Sequence, residues 1–471
     1  MKFTVKKLGK IDEAEIELKN LTIFCGPNSS NKTWLSYLIC NLLDCNYSLA
    51  LTNNEGKYSE FAESLANTFQ EHGRAEVKIS KVREEFKTRL EYALEESKQR
   101  LHQYFNVEKS ALSDFKLNLD LTSISTSTIF KKPWTSSRGI HFELSDKNMT
   151  MSKSDNYVPL EEPEQEKHSI LISFYVHISS LFNEFRYDKP YLATSERTGA
   201  LVFQNDLDRT SVALDSILSS INEFDMPLKE KSSLIQKVAS KVYTINSRLS
   251  SPVRNNISDI RNSESYMKEL GFIGRNHPEV LSVLDELNGG KFIFDKDDIR
   301  YIQSSLSTNS NGHKIGSASS SIKSLYLIDL YVRYKISISD ILLIDEPELN
   351  LHPNNQRLMA KLIARLVNAG VKVVITTHSD YLIREISSYI ALSNDFSGKE
   401  ELMDKYNLID SDILNIDQVA AYSIDPKGKV NTMSISSLGI ETKIFDKLID
   451  SANDLQDQIL YRVAPELFEQ E

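Results

Sequence analysis

Residues 341–357 read ILLIDEPELNLHPNNQR, and most of the fold can be argued outward from them. Four apolar residues, 341–344, form a run suited to a strand buried on both faces, and Asp345 and Glu346 follow without a spacer. Ligands of open α/β sheets bind beyond the carboxyl ends of the strands, so the two acids fall where chemistry is done. Asp345 would hold Mg²⁺, directly or through water, and Glu346 would polarise a water for attack on a phosphate. An exposed acidic turn is the plainer alternative, but solubility gives no reason for two carboxylates to abut an apolar run. Pro353 then opens a helix that carries Leu358, Leu362, Ile363, Leu366 and Val367 on one face and ends near Gly370. A second buried run at 371–375 completes a strand–helix–strand unit with parallel strands. Just past it stands His378, either a satisfied polar residue or a sensor of the terminal phosphate.

The partner of this acidic strand end lies far upstream, in LTIFCGPNSSNKTWLS at residues 21–36. A short apolar run, a polar loop and a helical apolar pattern at 34–43 give strand, loop and helix. The loop Gly26, Pro27, Asn28, Ser29, Ser30, Asn31, Lys32, Thr33 follows the phosphate-binding pattern G-x-x-x-x-G-K-[ST] except that Asn31 replaces the second glycine. Backbone N–H groups at such a helix start bind phosphate, Lys32 adds charge and Thr33 can ligate Mg²⁺. Asn tolerates left-handed backbone angles better than most residues, so the departure strains the loop without removing its donors.

The segments GPNSSNKT, SASSSIKSL, IDEPELNLHP and TTHSDYLIREI together resemble the ABC-type ATPases of the SMC/RecF-like branch. More narrowly they are similar to prokaryotic AAA-type ATPase subunits of anti-phage systems such as Septu, retron-linked and PARIS modules. The resemblance implies an α/β fold: an ABC-type head with a P-loop parallel or mixed sheet, interrupted by helical insertions. It implies ATP and Mg²⁺ as ligands, Lys32 and Thr33 on phosphate and metal, Asp345 on the metal, Glu346 as base and His378 as the switch histidine. Residues 350–353 look like the family's D-loop. Ser319, Ser320 and Ser321 occupy the signature position ahead of a helix expected over 325–334, although the glycine usual near Ser321 is missing. A flexible linker is the alternative reading of that serine run. In TSERTG, residues 194–199, Arg197 either reaches a phosphate or forms an ion pair with Glu196, and Gln204 is a looser candidate for the same loop. The family's geometry implies a head-to-tail homodimer around two ATP molecules. It also implies a separately encoded effector, a nuclease or toxin, with a RecF/SMC-like DNA clamp or a slow nucleotide-binding scaffold as alternatives.

The chain has 471 residues, 40% hydrophobic and 26% charged, with a net charge of −11, as expected of a globular protein that does not coat nucleic acid with its whole surface. Cys25, Cys40 and Cys45 lack metal-type spacing and point to a reducing cytoplasm without disulfides. No signal segment or membrane span is expected. The expected organisation is an ATPase start at 1–50, a helical and mixed insertion at 51–189, and a return to the core at 190–205. A second helical insertion follows at 206–289, the signature and acidic strand at 290–395, and a cap or partner-docking segment at 396–471. Within the second insertion, residues 231–258 contain no acid; Lys237, Lys241 and Arg248 flank an apolar stripe, either as a nucleic-acid contact or as a solvated face.

Overall fold

The computed structural model describes residues 1–47, 58–120, 133–181, 190–203, 249–295, 298–304, 312–338, 340–441, 453–460 and 462–463. The basic residues Lys237, Lys241 and Arg248, and Gln204, lie outside the described residues.

The chain begins with β1 (Lys2–Leu8), β2 (Ile11–Glu17) and β3 (Leu21–Cys25), followed by α1 (Lys32–Tyr47), α2 (Glu60–His72), β4 (Arg74–Lys78) and α3 (Ile79–Phe105). Next come β5 (Lys116–Leu119), β6 (Trp134–Thr135), β7 (Ile140–Leu144), β8 (Asn148–Lys153), α4 (Pro163–Leu181) and β9 (Pro190–Ala193). Helices α5 (Ser251–Arg261) and α6 (Pro278–Asn288) precede β10 (Gly290–Asp295), β11 (Asp298–Gln303), β12 (His313–Lys314) and α7 (Ser320–Leu330). The remaining core elements are β13 (Ile341–Asp345), α8 (Pro353–Asn368), β14 (Lys372–Thr377), α9 (Asp380–Ala391), β15 (Val419–Ile424) and β16 (Val430–Thr432).

The central sheet has the order β16-β15-β3-β14-β13-β9. Strands β15, β3, β14, β13 and β9 run parallel, and β16 joins the edge antiparallel. Their register decides the site. Asp345 pairs with Thr376, and Thr377 pairs with Cys25, the last residue before the Gly26 loop. The acidic strand end, the threonine pair and the glycine loop therefore share one edge of the sheet.

Period-2 alternation divides the sheet between two cores. Phe24, Leu343, Val374 and Tyr422 face a core built with α1, α2 and α3. Leu21, Ile23, Leu342, Ile344, Val373 and Ile375 face a second core with α6, α7, α8 and α9. The small sheet β2-β1-β5 and the insertion sheet β4-β8-β7-β6 pack into the first core, so the first insertion and the chain start share one hydrophobic interior.

Two element boundaries differ from the sequence reading. The helix expected over 325–334 starts at Ser320 because Ser319 caps it, its hydroxyl accepting from Ile322 N at 3.3 Å, and it ends in a π turn at Tyr331–Lys335. Strand β14 runs on through Thr376 and Thr377, both β-branched and both held in the ladder. The segment after α9 supplies two strands of the main sheet. Among the described residues no helix is long and apolar enough to cross a membrane.

Candidate functional site

The loop leaves β3 at Gly26, where a Cβ would collide with the carbonyl oxygen of Ile424 at the end of β15. Glycine lets the loop start directly against that strand. Ser29 and Asn31 have left-handed backbones, φ 62° and 68°, and Lys32 and Thr33 are the first residues of α1. The Asn31 side chain points back to the β1–β2 turn, where its Oδ1 lies 3.4 Å from Lys10 N. Lys32 is buried, its Nζ donating to the carbonyls of Gly26 at 2.9 Å and Pro27 at 2.8 Å. Burial pushes its amine below the usual range, opposed by Glu346, Asp345 and Glu348. Ser30 is fully buried, and its hydroxyl has no hydrogen-bond partner among the described residues.

Across from the loop, Thr33 Oγ1 donates to Asp345 Oδ2 at 2.9 Å, and Thr376 Oγ1 donates to Asp345 Oδ1. Glu346 comes next with φ 52°, an uncommon conformation for a glutamate, and its N–H donates to Thr376 O at 3.0 Å. Burial raises its carboxyl pKa, helped by Asp345 and Glu348 and opposed by His378 and Lys32. His378 is partly exposed, with Nδ1 3.7 Å from Glu346 Oε1 and 3.9 Å from Glu348 Oε1. The structure thus brings Lys32, Thr33, Asp345, Glu346 and His378 to one edge of the sheet. Pro27, Asn28 and Ser29 lie exposed along the loop rim.

These residues fit Mg²⁺ bound with a phosphate chain. Mg²⁺ takes hard oxygen donors, and the Thr33 hydroxyl and Asp345 carboxylate, already in contact at 2.9 Å, are the residues that would hold it. Among the described residues no group of three His, Cys, Asp or Glu could hold a metal ion alone, so phosphate and water would complete the shell. The Ser30 hydroxyl, the loop N–H groups and Lys32 suit the anion.

Ser319 and Ser320 are exposed at the start of α7, Ser321 is half-buried, and Ser319 Oγ lies 2.9 Å from Ser321 Oγ. Among the described residues no hydrogen bond joins these serines to Lys32, Thr33, Asp345 or Glu346. In the 350–353 stretch, Asn350 has φ 60° and His352 caps α8. Arg197 takes neither expected role: it is buried and donates to backbone carbonyls only, while Glu196 receives the Tyr37 hydroxyl at 3.2 Å.

Glu348 escaped the sequence reading. It is buried, and its Oε1 accepts from Thr377 Oγ1 and from His378 N, both at 2.8 Å, fixing the backbone on which His378 sits. Nothing in its position two residues beyond Glu346 marks it for burial. Gln356 was also missed: it accepts from Ser379 Oγ at 2.6 Å and donates to Leu351 O at 3.0 Å, joining the 350–353 stretch to the histidine segment.

A glycine loop running from a strand into a helix at the head of a mostly parallel sheet, faced by a carboxylate pair on a neighbouring strand end, defines a P-loop nucleotide-binding protein. The chain belongs to the AAA ATPase domain family, whose model matches residues 1–383 and so spans every site residue named above. A curated relative from Listeria monocytogenes serotype 4b (strain F2365), named as a candidate ABC transporter ATP-binding protein, is 39% identical over 59 residues. That match covers 12% of this chain, and the chain spans only 22% of the relative's length. Among solved structures, the Smc head domain of Pyrococcus furiosus with an extended coiled coil, bound to the C-terminal domain of ScpA, is 12% identical with a TM-score of 0.30. The alignment covers 97% of this chain and 98% of that one. An SmcHead bound to the C-winged helix domain of ScpA is also 12% identical, with a TM-score of 0.32 over 92% and 97% of the two chains.

Proposed function

We propose that this chain binds ATP with Mg²⁺ between the Gly26 loop and the Asp345–Glu346 strand end, and hydrolyses it to ADP and phosphate. The observation that carries the reading is the 2.9 Å approach of Thr33 Oγ1 to Asp345 Oδ2, across two segments 312 residues apart in sequence. Mg²⁺ would sit between them and neutralise charge on the terminal phosphates. Lys32 exchanges its loop carbonyls for phosphate oxygens, Glu346 orients and deprotonates the attacking water, and His378 contacts the terminal phosphate from the opposite side. Membership of an ATPase family supports the same reading.

The reading includes a second copy. Ser319 and Ser320 are exposed and, among the described residues, make no bond to their own phosphate loop, which favours action on the nucleotide of a partner copy in a head-to-tail dimer. The dimer's closure and reopening would regulate a separately encoded nuclease or toxin in anti-phage defence. That assignment rests on the motif resemblance, and a RecF/SMC-like DNA clamp is its alternative. Charge reversal at Lys237 and Lys241 should abolish nucleic-acid binding if the clamp reading holds.

The test uses the full chain as wild type, Lys32→Ala and Glu346→Gln, measuring ATP binding, phosphate release and molar mass. Wild type should turn over, Lys32→Ala should not bind ATP, and Glu346→Gln should bind it but lose about 10²–10⁴-fold in rate, accumulating as an ATP-bound dimer. Equal turnover by Glu346→Gln and wild type would refute the role given to the base.

A further inference from the structure

Arg197 is 1% exposed, and among the described residues its hydrogen bonds go to carbonyl oxygens and not to a carboxylate. Four of its five donors are used, all on carbonyl oxygens. Nε donates to Ser324 O at 2.8 Å, and Nη1 donates to Thr194 O at 3.0 Å and Asp345 O at 2.7 Å. Nη2 donates to Glu346 O at 2.8 Å. A cation buried this deeply loses its hydration, and burial pushes its pKa down to about 10. Carbonyl dipoles take its N–H groups and the nearby carboxylates of Asp345, Glu348, Glu346 and Glu196 favour its charge, so the side chain is a bracket with its donors committed to the backbone.

Its partners come from three segments. Thr194 follows β9, Asp345 ends β13 with Glu346 just beyond it, and Ser324 lies four residues beyond Ser320 in α7. The other end of α7 is tied to the β9 segment. Asn256 accepts from Thr194 N at 3.0 Å and Thr194 Oγ1 at 2.9 Å, and donates to Leu192 O at 2.5 Å and to the Tyr331 hydroxyl at 3.3 Å. Helix α7 is thereby tied through Ser324 and Arg197 to the strand end that carries Glu346, and through Tyr331 and Asn256 to the neighbouring strand β9.

Glu346 itself is held in a left-handed backbone that costs a non-glycine residue about 1–2 kcal/mol and persists only where surroundings over-determine it. Its N–H is fixed by Thr376 O and its carbonyl by Arg197. We propose that Arg197 is the positioning residue of the hydrolytic site, holding Glu346 in its left-handed conformation and joining it to α7, so that engagement of Ser319–Ser321 is transmitted to the base. The inference rests on the ATPase reading above.

The test measures phosphate release and ATP affinity for full-length wild type, Glu346→Gln, Arg197→Lys and Arg197→Ala. Misplacing a reacting group by about 1 Å costs about 100-fold, so Arg197→Ala should lose about that factor in kcat with ATP affinity changed less than about twofold. Methylguanidinium added to Arg197→Ala should restore part of the rate and should do nothing for Glu346→Gln. Arg197→Lys, which keeps the charge but not the fork, should fall between wild type and Arg197→Ala. Wild-type turnover in Arg197→Ala overturns the inference, as does a loss that appears wholly in ATP affinity. Unfolding of both Arg197 variants, read by circular dichroism, also overturns it by making the arginine a folding residue. If wild type does not hydrolyse ATP, or Glu346→Gln equals wild type, the ATPase reading fails first and takes this one with it.

Discussion

Asn31 occupies a position where the phosphate-loop pattern has glycine, and its φ of 68° puts a number on the substitution. An ordinary L-residue in that region costs about 1–2 kcal/mol, and Asn costs less because its short polar side chain is satisfied locally. Here the partner is Lys10 N, at 3.4 Å from Oδ1, a contact longer than a normal hydrogen bond and worth under about 0.5 kcal/mol. Asn31→Gly removes the backbone cost and the weak contact, and adds about 0.5–1 kcal/mol of unfolded-state freedom. These terms nearly cancel. Asn31→Ala keeps the left-handed cost in full and loses the contact, for a net penalty of about 1–2 kcal/mol. If the loop keeps its shape, the penalty appears as lower thermal stability; if the loop relaxes, it appears as ATP affinity weakened about 5–30-fold. Calorimetric ATP titration beside thermal melts reads both. The expected order is Asn31→Gly equal to wild type, with Asn31→Ala below them in one measurement or the other. Loss of ATP binding in Asn31→Gly would refute the argument and make the Asn31 contact with the β1–β2 turn essential. So would an Asn31→Ala protein equal to wild type in both.

Asp412 is fully buried and receives Arg365 through Nε at 2.6 Å and Nη2 at 3.1 Å, pinning the segment after α9 to α8. Asp412→Ala leaves a buried guanidinium without its anion and should cost about 3–5 kcal/mol, seen as earlier unfolding in denaturant and faster proteolysis of 395–418; unchanged stability would refute the pairing as a clamp. His177 packs against the rings of Trp134, at 5.3 Å, and Phe142, at 4.4 Å, and burial lowers its pKa to about 4. Folding favours the neutral ring, so its contribution is complete above the unfolded value of about 6.5 and is lost as pH falls towards 4, about 3 kcal/mol over the whole span. Tryptophan fluorescence melts should show the loss in wild type and a flatter profile in His177→Phe, whereas parallel profiles would contradict the assignment.

What was legible in the sequence was local. The runs 21–25, 341–344 and 371–375 are apolar on both faces, which suits strands of a parallel sheet covered by helices on either side. Each is followed by the residues that a strand end would present, so Lys32, Thr33, Asp345, Glu346 and His378 could be named before their positions were known. Asn31 could also be read as left-handed, because Asn is among the residues that accept that conformation. Nothing in the identity of Glu346 announces the same geometry at φ 52°. That conformation comes from partners distant in sequence: Thr376 O on its N–H and Arg197 on its carbonyl. Arg197 was illegible for a related reason. Its acceptors are main-chain oxygens, which every residue carries, so no side-chain pattern in the sequence records them. Glu348 was not singled out because burial is a property of the assembled edge, where β14 presents Thr377 Oγ1 and His378 N to the same oxygen. The chemistry of this site is written in side chains at strand ends, and its alignment is written in main-chain contacts between segments. Substitutions of the first kind should therefore stop binding or turnover outright, whereas Arg197 should separate rate from affinity.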